Sequence, residues 1–144
     1  MSAGQRWRYL WVAPLVVALA SCSDSTKPSG GGCQEISSFE VGSGSTPAFS
    51  WTPSCSVTEI TVRDLEDTSS SQVKWHVIAD ANVIRPPVTY GVAPAGATAT
   101  IGPDFLIAHC YQVELYVRDP LSVNPVYRGG GQFKPSWVSC DQQQ

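Results

Sequence analysis

Apolar positions along this chain recur with a period of two. Phe49 and Trp51 alternate with polar neighbours, as do Ile60 and Val62, then Val73, Trp75 and Val77, and later Tyr111, Val113, Leu115 and Val117. Side chains two apart on an extended strand point to one face, so each of these sets is suited to line a core. Clusters of Pro, Gly, Ser and Asp separate the runs roughly every 10–15 residues, the punctuation of a sandwich or barrel. The pattern predicts strands near Glu35–Val41, Ala48–Thr52, Thr58–Asp64, Gln72–Ala79, Ala97–Ile101, Tyr111–Arg118 and Val126–Lys134. The fold class that follows is all-β, a seven-stranded antiparallel β-sandwich. Trp51 and Trp75 are expected in its core rather than as sugar-stacking platforms.

One apolar run stands outside this pattern. Arg6 and Arg8 precede Tyr9–Ala20, which is apolar except for Pro14 and too short to cross about 30 Å of hydrocarbon as a helix. That arrangement is an export signal. It ends in Leu19-Ala20-Ser21-Cys22, which resembles the bacterial lipobox. The resemblance implies that residues 1–21 are removed and that Cys22 becomes the first mature residue, carrying diacylglycerol on sulfur and an acyl chain on its amine. Two or three chains anchor firmly where one does not. Ser23 stands where inner-membrane lipoproteins of enteric bacteria carry Asp, so the expected location is the cell envelope, outer membrane ahead of inner. Residues 22–32, ending in Gly-Gly-Gly, read as a tether with a reach of about 20 Å. The folded domain is then 33–140, and 141–144 is a frayed tail.

Charge narrows the partners. The chain has 144 residues, with 9 Lys+Arg against 12 Asp+Glu, a net charge of −3. Loss of Arg6 and Arg8 with the signal makes the mature protein more acidic still. This excludes a basic nucleic-acid binder, and an acidic domain has no electrostatic reason to lie flat on anionic lipid. Besides the membrane reached through the anchor, the candidate partners are an envelope protein or a glycan.

Beyond Cys22, the cysteines are Cys33, Cys55, Cys110 and Cys140, an even number in an exported chain, which points to two disulfides. Sequence spacing alone permits three connectivities. There is no CxxC and no zinc-type Cys/His spacing, so no metal or other cofactor is expected.

Three segments resemble fibronectin type III and related immunoglobulin-like domains: Phe49-Ser-Trp51-Thr-Pro53, Pro86-Pro87-Val-Thr-Tyr90-Gly91 and Tyr111-Gln-Val113-Glu-Leu115. The resemblance covers roughly Thr46 to Phe133. It makes Tyr111 the counterpart of the family's corner tyrosine, whose hydroxyl bonds back to upstream backbone. Phe105-Leu-Ile-Ala-His-Cys110 departs from the Leu-Pro-Gly type of turn usual before that tyrosine. Strand direction then restricts the bridges. Successive antiparallel strands alternate direction, so Cys33 and Cys55 fall at one pole, and Cys110 and Cys140 at the other. Pairing Cys33–Cys55 and Cys110–Cys140 follows, since bridging needs Cα atoms within about 7 Å.

Candidate chemistry is sparse. His76 sits between Trp75 and Val77 and is expected on the solvent face. His109 adjoins Cys110 and is expected near an acid such as Asp104. No Gly-x-Ser-x-Gly elbow, HExxH, P-loop, dinucleotide fingerprint or EF-hand loop is present. Asp64, Glu66 and Asp67 are expected in a solvated turn and form the candidate binding surface, so that reversing their charge should leave stability unchanged. Leu121 and Val123, in the Asp119–Pro125 loop, are expected to pack down on the domain, with a contact surface as the alternative. The reading is a non-catalytic, membrane-anchored binding or structural module. Its alternatives are a small envelope enzyme or enzyme inhibitor using His109 and an acid, or an accessory subunit of an outer-membrane complex.

Overall fold

The computed structural model describes residues 32–135 and Cys140. The signal segment, Cys22, the tether through residue 31 and the tail 141–144 lie outside the described residues. Eight strands form: β1 (Ser38–Val41), β2 (Ala48–Thr52), β3 (Glu59–Asp64), β4 (Val73–Ala79), β5 (Val88–Thr89), β6 (Ala97–Ile101), β7 (Tyr111–Val117) and β8 (Val126–Phe133). They build two antiparallel sheets, β1-β2-β5 and β6-β4-β3-β7-β8. No helix occurs among the described residues.

The expected count of seven strands is corrected to eight by β5. It has two residues, lying between the Pro86-Pro87 pair and Gly91, and two residues carry no periodicity. It is a strand because Phe49 and Ala48 of β2 pair with Val88 and Thr89.

The alternating sets meet between the sheets. Phe49, Trp51 and Val88 from the smaller sheet face Ile60, Val62, Trp75, Val77, Tyr111, Val113, Leu115 and Val117 from the larger, and all are buried. Val73 is only half-buried, because the β3–β4 register shifts at Val62/Arg63 just before it pairs. Burying each large apolar side chain contributes about 1.5–3 kcal/mol. Aromatic rings link the two layers: Phe49 lies 6.5 Å from Trp75 and 5.6 Å from Phe133, and Tyr90 lies 5.4 Å from Trp75. The Trp51 indole donates to the Cys55 carbonyl at 3.0 Å, which satisfies its polar edge.

Two disulfides staple the poles. Cys33–Cys55 has Cα atoms 5.1 Å apart and Cys110–Cys140 has them 5.7 Å apart. The chain enters at the first pole, where Gly32 lies against Val117 and Asn82. We call this the entry pole. β3 leaves it and ends in Asp64 at the opposite pole, and β7 runs the other way from Tyr111 to Val117.

Candidate functional site

The opposite pole concentrates the chain's polar chemistry, and the alternation in β3 explains why. Ile60, Val62 and Asp64 have the same parity, so the Asp64 carboxylate turns inward above the core. It is buried, with 3% of its surface exposed. A buried charge must be paired, and here every interaction is supplied. One oxygen, Oδ1, accepts the backbone N–H groups of Glu66 at 2.9 Å and Asp67 at 3.2 Å. The other, Oδ2, accepts from His109 Nδ1 at 2.8 Å, a contact that requires the imidazole proton on Nδ1.

From this knot two loops are stitched together. Leu65 N–H donates to the Cys110 carbonyl and Cys110 N–H donates to Glu66 Oε1, both at 2.8 Å. The other foot of the 104–110 segment is also held. Asp104 N–H donates to the Lys74 carbonyl at 3.0 Å, and the Tyr90 hydroxyl donates to the Asp104 carbonyl at 2.8 Å. Burial pushes the Tyr90 phenol up to about 12, so it remains a donor across the physiological range. In the middle, Ile107 N–H donates to the Tyr111 hydroxyl at 2.9 Å.

This arrangement corrects two expectations. His109 pairs with Asp64 rather than with Asp104, because Asp64 is the acid whose side chain reaches inward. The Asp64, Glu66 and Asp67 cluster is not a free acidic surface either. Asp64 is internal, and Asp67 is held by Lys74 at 2.8 Å. Glu66 and Asp104 alone of these acids show much carboxylate to solvent, at 47% and 63% of the side chain. Among the described residues no group of three or more His, Cys, Asp or Glu could hold a metal ion.

The Lys74 ammonium and the Ser69 hydrogen bonds hold the Asp67 carboxyl far below the usual carboxylate range, and Asp67 in turn raises Lys74. A depressed acid contributes stability above its unfolded pKa and loses it as pH falls through the folded one. The lysine's share is lost only as pH rises through its raised value. Lys74→Met should therefore lower stability at neutral pH and converge on the parent in acid. Its difference from the parent is full at neutral pH and closes as pH drops through and below the carboxylate range. Urea unfolding followed by tryptophan fluorescence checks this, and a difference that stays constant down to acid unfolding would refute the pairing.

What the pinned segment presents is apolar. Phe105 is 92% exposed, and Ile107 and Leu65 are about half exposed. Residues 105–107 are three consecutive apolar residues outside any strand, and that run is the sequence signal that could have singled them out. A shallow hollow of about 180 Å³ opens on the same pole, between the turn at Gly42–Gly44 and Phe133–Pro135, with Lys134 its only charge.

Elsewhere, the outer face of the larger sheet carries cross-strand polar pairs. Arg63 bonds Glu114 at 3.0 Å, and the Tyr116 hydroxyl donates to the same carboxylate oxygen at 3.0 Å. His76 lies on this face as expected, yet it is held between Glu59, at 3.0 Å, and Thr100 rather than freely solvated. At the entry pole the expectation for the Asp119–Pro125 loop is overturned. Leu121 and Val123 do not pack on the domain; they are 97% and 96% exposed. No protein family, no curated protein and no solved structure gives a match to the chain.

Proposed function

We propose that the chain is a membrane-anchored envelope lipoprotein whose β-sandwich is a non-catalytic binding module, with the pole opposite the tether as its capture face. The anchor reading rests on Arg6, Arg8, the apolar run and Leu19-Ala20-Ser21-Cys22. A fibronectin type III or immunoglobulin-like assignment is supported by the strand order: β1-β2-β5 corresponds to strands A, B and E, and β8-β7-β3-β4 to G, F, C and C′. β6 is then an added edge strand. The Tyr111 hydroxyl, bonded to backbone four residues upstream, suits the corner tyrosine of that class.

The observation that carries the binding role is Phe105. Its loop is fixed at both feet by Tyr90, Lys74, Glu66 and the Asp64–His109 pair, yet its largest side chain stands in water. A rigid loop presenting an apolar tip loses little entropy on docking and recovers the burial that the free protein forgoes. The open carboxylates of Glu66 and Asp104 favour a partner surface that is apolar at its centre and basic at its rim.

The test is capture of partners from intact membranes by the full chain. The double variant Phe105→Ser, Ile107→Ser should lose at least about 10-fold in capture, with stability within about 1 kcal/mol of the parent because Phe105 faces solvent and Ile107 is half exposed. Cys22→Ser should release the protein from the membrane fraction while its domain still captures in solution. Undiminished capture by the double variant would sink the assignment of this pole.

A further inference from the structure

We infer that the Asp119–Pro125 loop is a lipid-contacting tip, inserting Leu121 and Val123 into the bilayer surface to which Cys22 ties the chain. The inference rests on the anchor reading above and adds a second, non-covalent contact to it. Three observations converge.

First, the loop stands where the tether arrives. Gly32 lies against Val117, the last residue of β7, and the loop begins two residues later. Cys22 is ten residues upstream of Gly32, within a reach of about 20 Å. A bilayer holding the acyl chains is therefore the largest apolar phase available to this end of the domain.

Second, the loop is built to hold its apolar side chains outward. Asp119 Oδ1 accepts the Leu121 N–H at 2.9 Å, and the Asp119 carbonyl accepts the Ser122 N–H at 3.0 Å. The Ser122 hydroxyl donates to the Asn124 carbonyl at 2.7 Å. Arg128 holds the second Asp119 oxygen at 3.1 Å, which neutralises the one carboxylate at the base of the loop. Polar groups satisfied inside a turn lose less on leaving water than free ones do. Leu121 and Val123, by contrast, are almost wholly exposed. Polar-rimmed apolar exposure of this kind marks contact sites, membranes included.

Third, charge neither drives nor bars the contact. At the entry end Arg85, Arg118 and Arg128 stand against Glu35, Glu59, Asp80 and Asp119, with Arg128 bonded to Asp119 and Glu59 to His76, so no basic cluster among the described residues is there to hold anionic headgroups. The contact is accordingly apolar and should be insensitive to salt, unlike a polybasic one.

The test introduces an indole, Leu121→Trp, into the full chain and reconstitutes it in phosphatidylethanolamine/phosphatidylglycerol vesicles with brominated acyl chains. The unsubstituted chain supplies the background from its own tryptophans, and mass spectrometry of the same sample reports whether Cys22 is acylated. Insertion is read as a blue-shifted emission, quenched by bromine and unchanged by high salt, together with burial of position 123 detected in the same way with Val123→Trp. With Cys22 acylated, emission at the wavelength of indole in water overturns the inference and leaves the anchor intact. A blue shift without quenching means that protein covers the loop, and it also overturns the inference. Without acylation, persistent quenching supports a lipid contact independent of the anchor, whereas loss of quenching removes both readings.

Discussion

Asp64→Ala should destabilise the domain by about 3 kcal/mol, because it orphans two backbone N–H groups and the His109 Nδ1–H at a buried position. For a domain of this size that corresponds to a fall in Tm of roughly 12–20 °C. Asp64→Asn separates the parts. Its amide oxygen keeps the two turn N–H groups, while its NH2 faces His109, which must then carry its proton on Nε2. A loss nearer about 1 kcal/mol is expected from that exchange of a charge-assisted bond for a neutral one. Glu66→Lys, at a half-exposed position, should cost less than Asp64→Ala, disturbing the Cys110 N–H contact and the 3.8 Å approach to His109 Nε2. Thermal unfolding of the three variants checks the order. Equal effects of Asp64→Ala and Glu66→Lys would mean that the carboxylate is not the hub of this pole. The expectation that charge reversal across the acidic cluster leaves stability untouched is thereby withdrawn for Asp64.

Much of the architecture is legible because alternation is a local signal. The buried residues of β2 and β7 are those the period of two selects, β3 adds Thr61 to its selected Ile60 and Val62, and Trp51 and Trp75 lie in the core. The same rule held the information about Asp64, since it shares parity with Ile60 and Val62; its charge and the following Glu66-Asp67 drew it into the turn instead. β5 escaped because it exists only through its pairing with β2, a contact made across about forty residues of chain. Phe105 and Leu121 escaped for the opposite reason. Apolar residues in loops usually find something to cover them, and whether they do depends on backbone placement that no local pattern encodes. His76 shows the same limit, because its partners Glu59 and Thr100 come from two neighbouring strands of the larger sheet. The acidic pole was thus named from composition, but the division of its acids into one internal hub, one paired residue and two exposed carboxylates needed the fold.

Gly130→Ala should be more damaging still. β8 carries the run Gly129-Gly130-Gly131 opposite Leu115, Glu114 and Val113 of β7. A Cβ at Gly130 would overlap the carbonyl of Val113, and φ there is +155°, a conformation that an L side chain rarely adopts. The obstacle is backbone in the middle of a ladder, so relief requires β8 to leave β7. A loss of at least about 3 kcal/mol is expected, combining local strain with the broken pairing. Two other glycines provide the scale. At Gly131 the added Cβ meets the Phe39 side chain rather than backbone, so a smaller loss of about 1–3 kcal/mol is expected. At Gly44, φ is +110° but nothing lies within 4 Å, so strain alone acts and the cost should be about 1 kcal/mol. The consequence extends to the pole that carries Phe105. β8 ends in Phe133, whose ring stacks 5.4 Å from Tyr111, and Tyr111 holds the Ile107 N–H. Amide hydrogen exchange on Gly130→Ala should therefore show lost protection in β8 together with Ile107, while β2 and β3 stay protected longest. If Ile107 keeps its protection when β8 has lost its own, the corner is held by Asp64 and Glu66 and does not depend on β8.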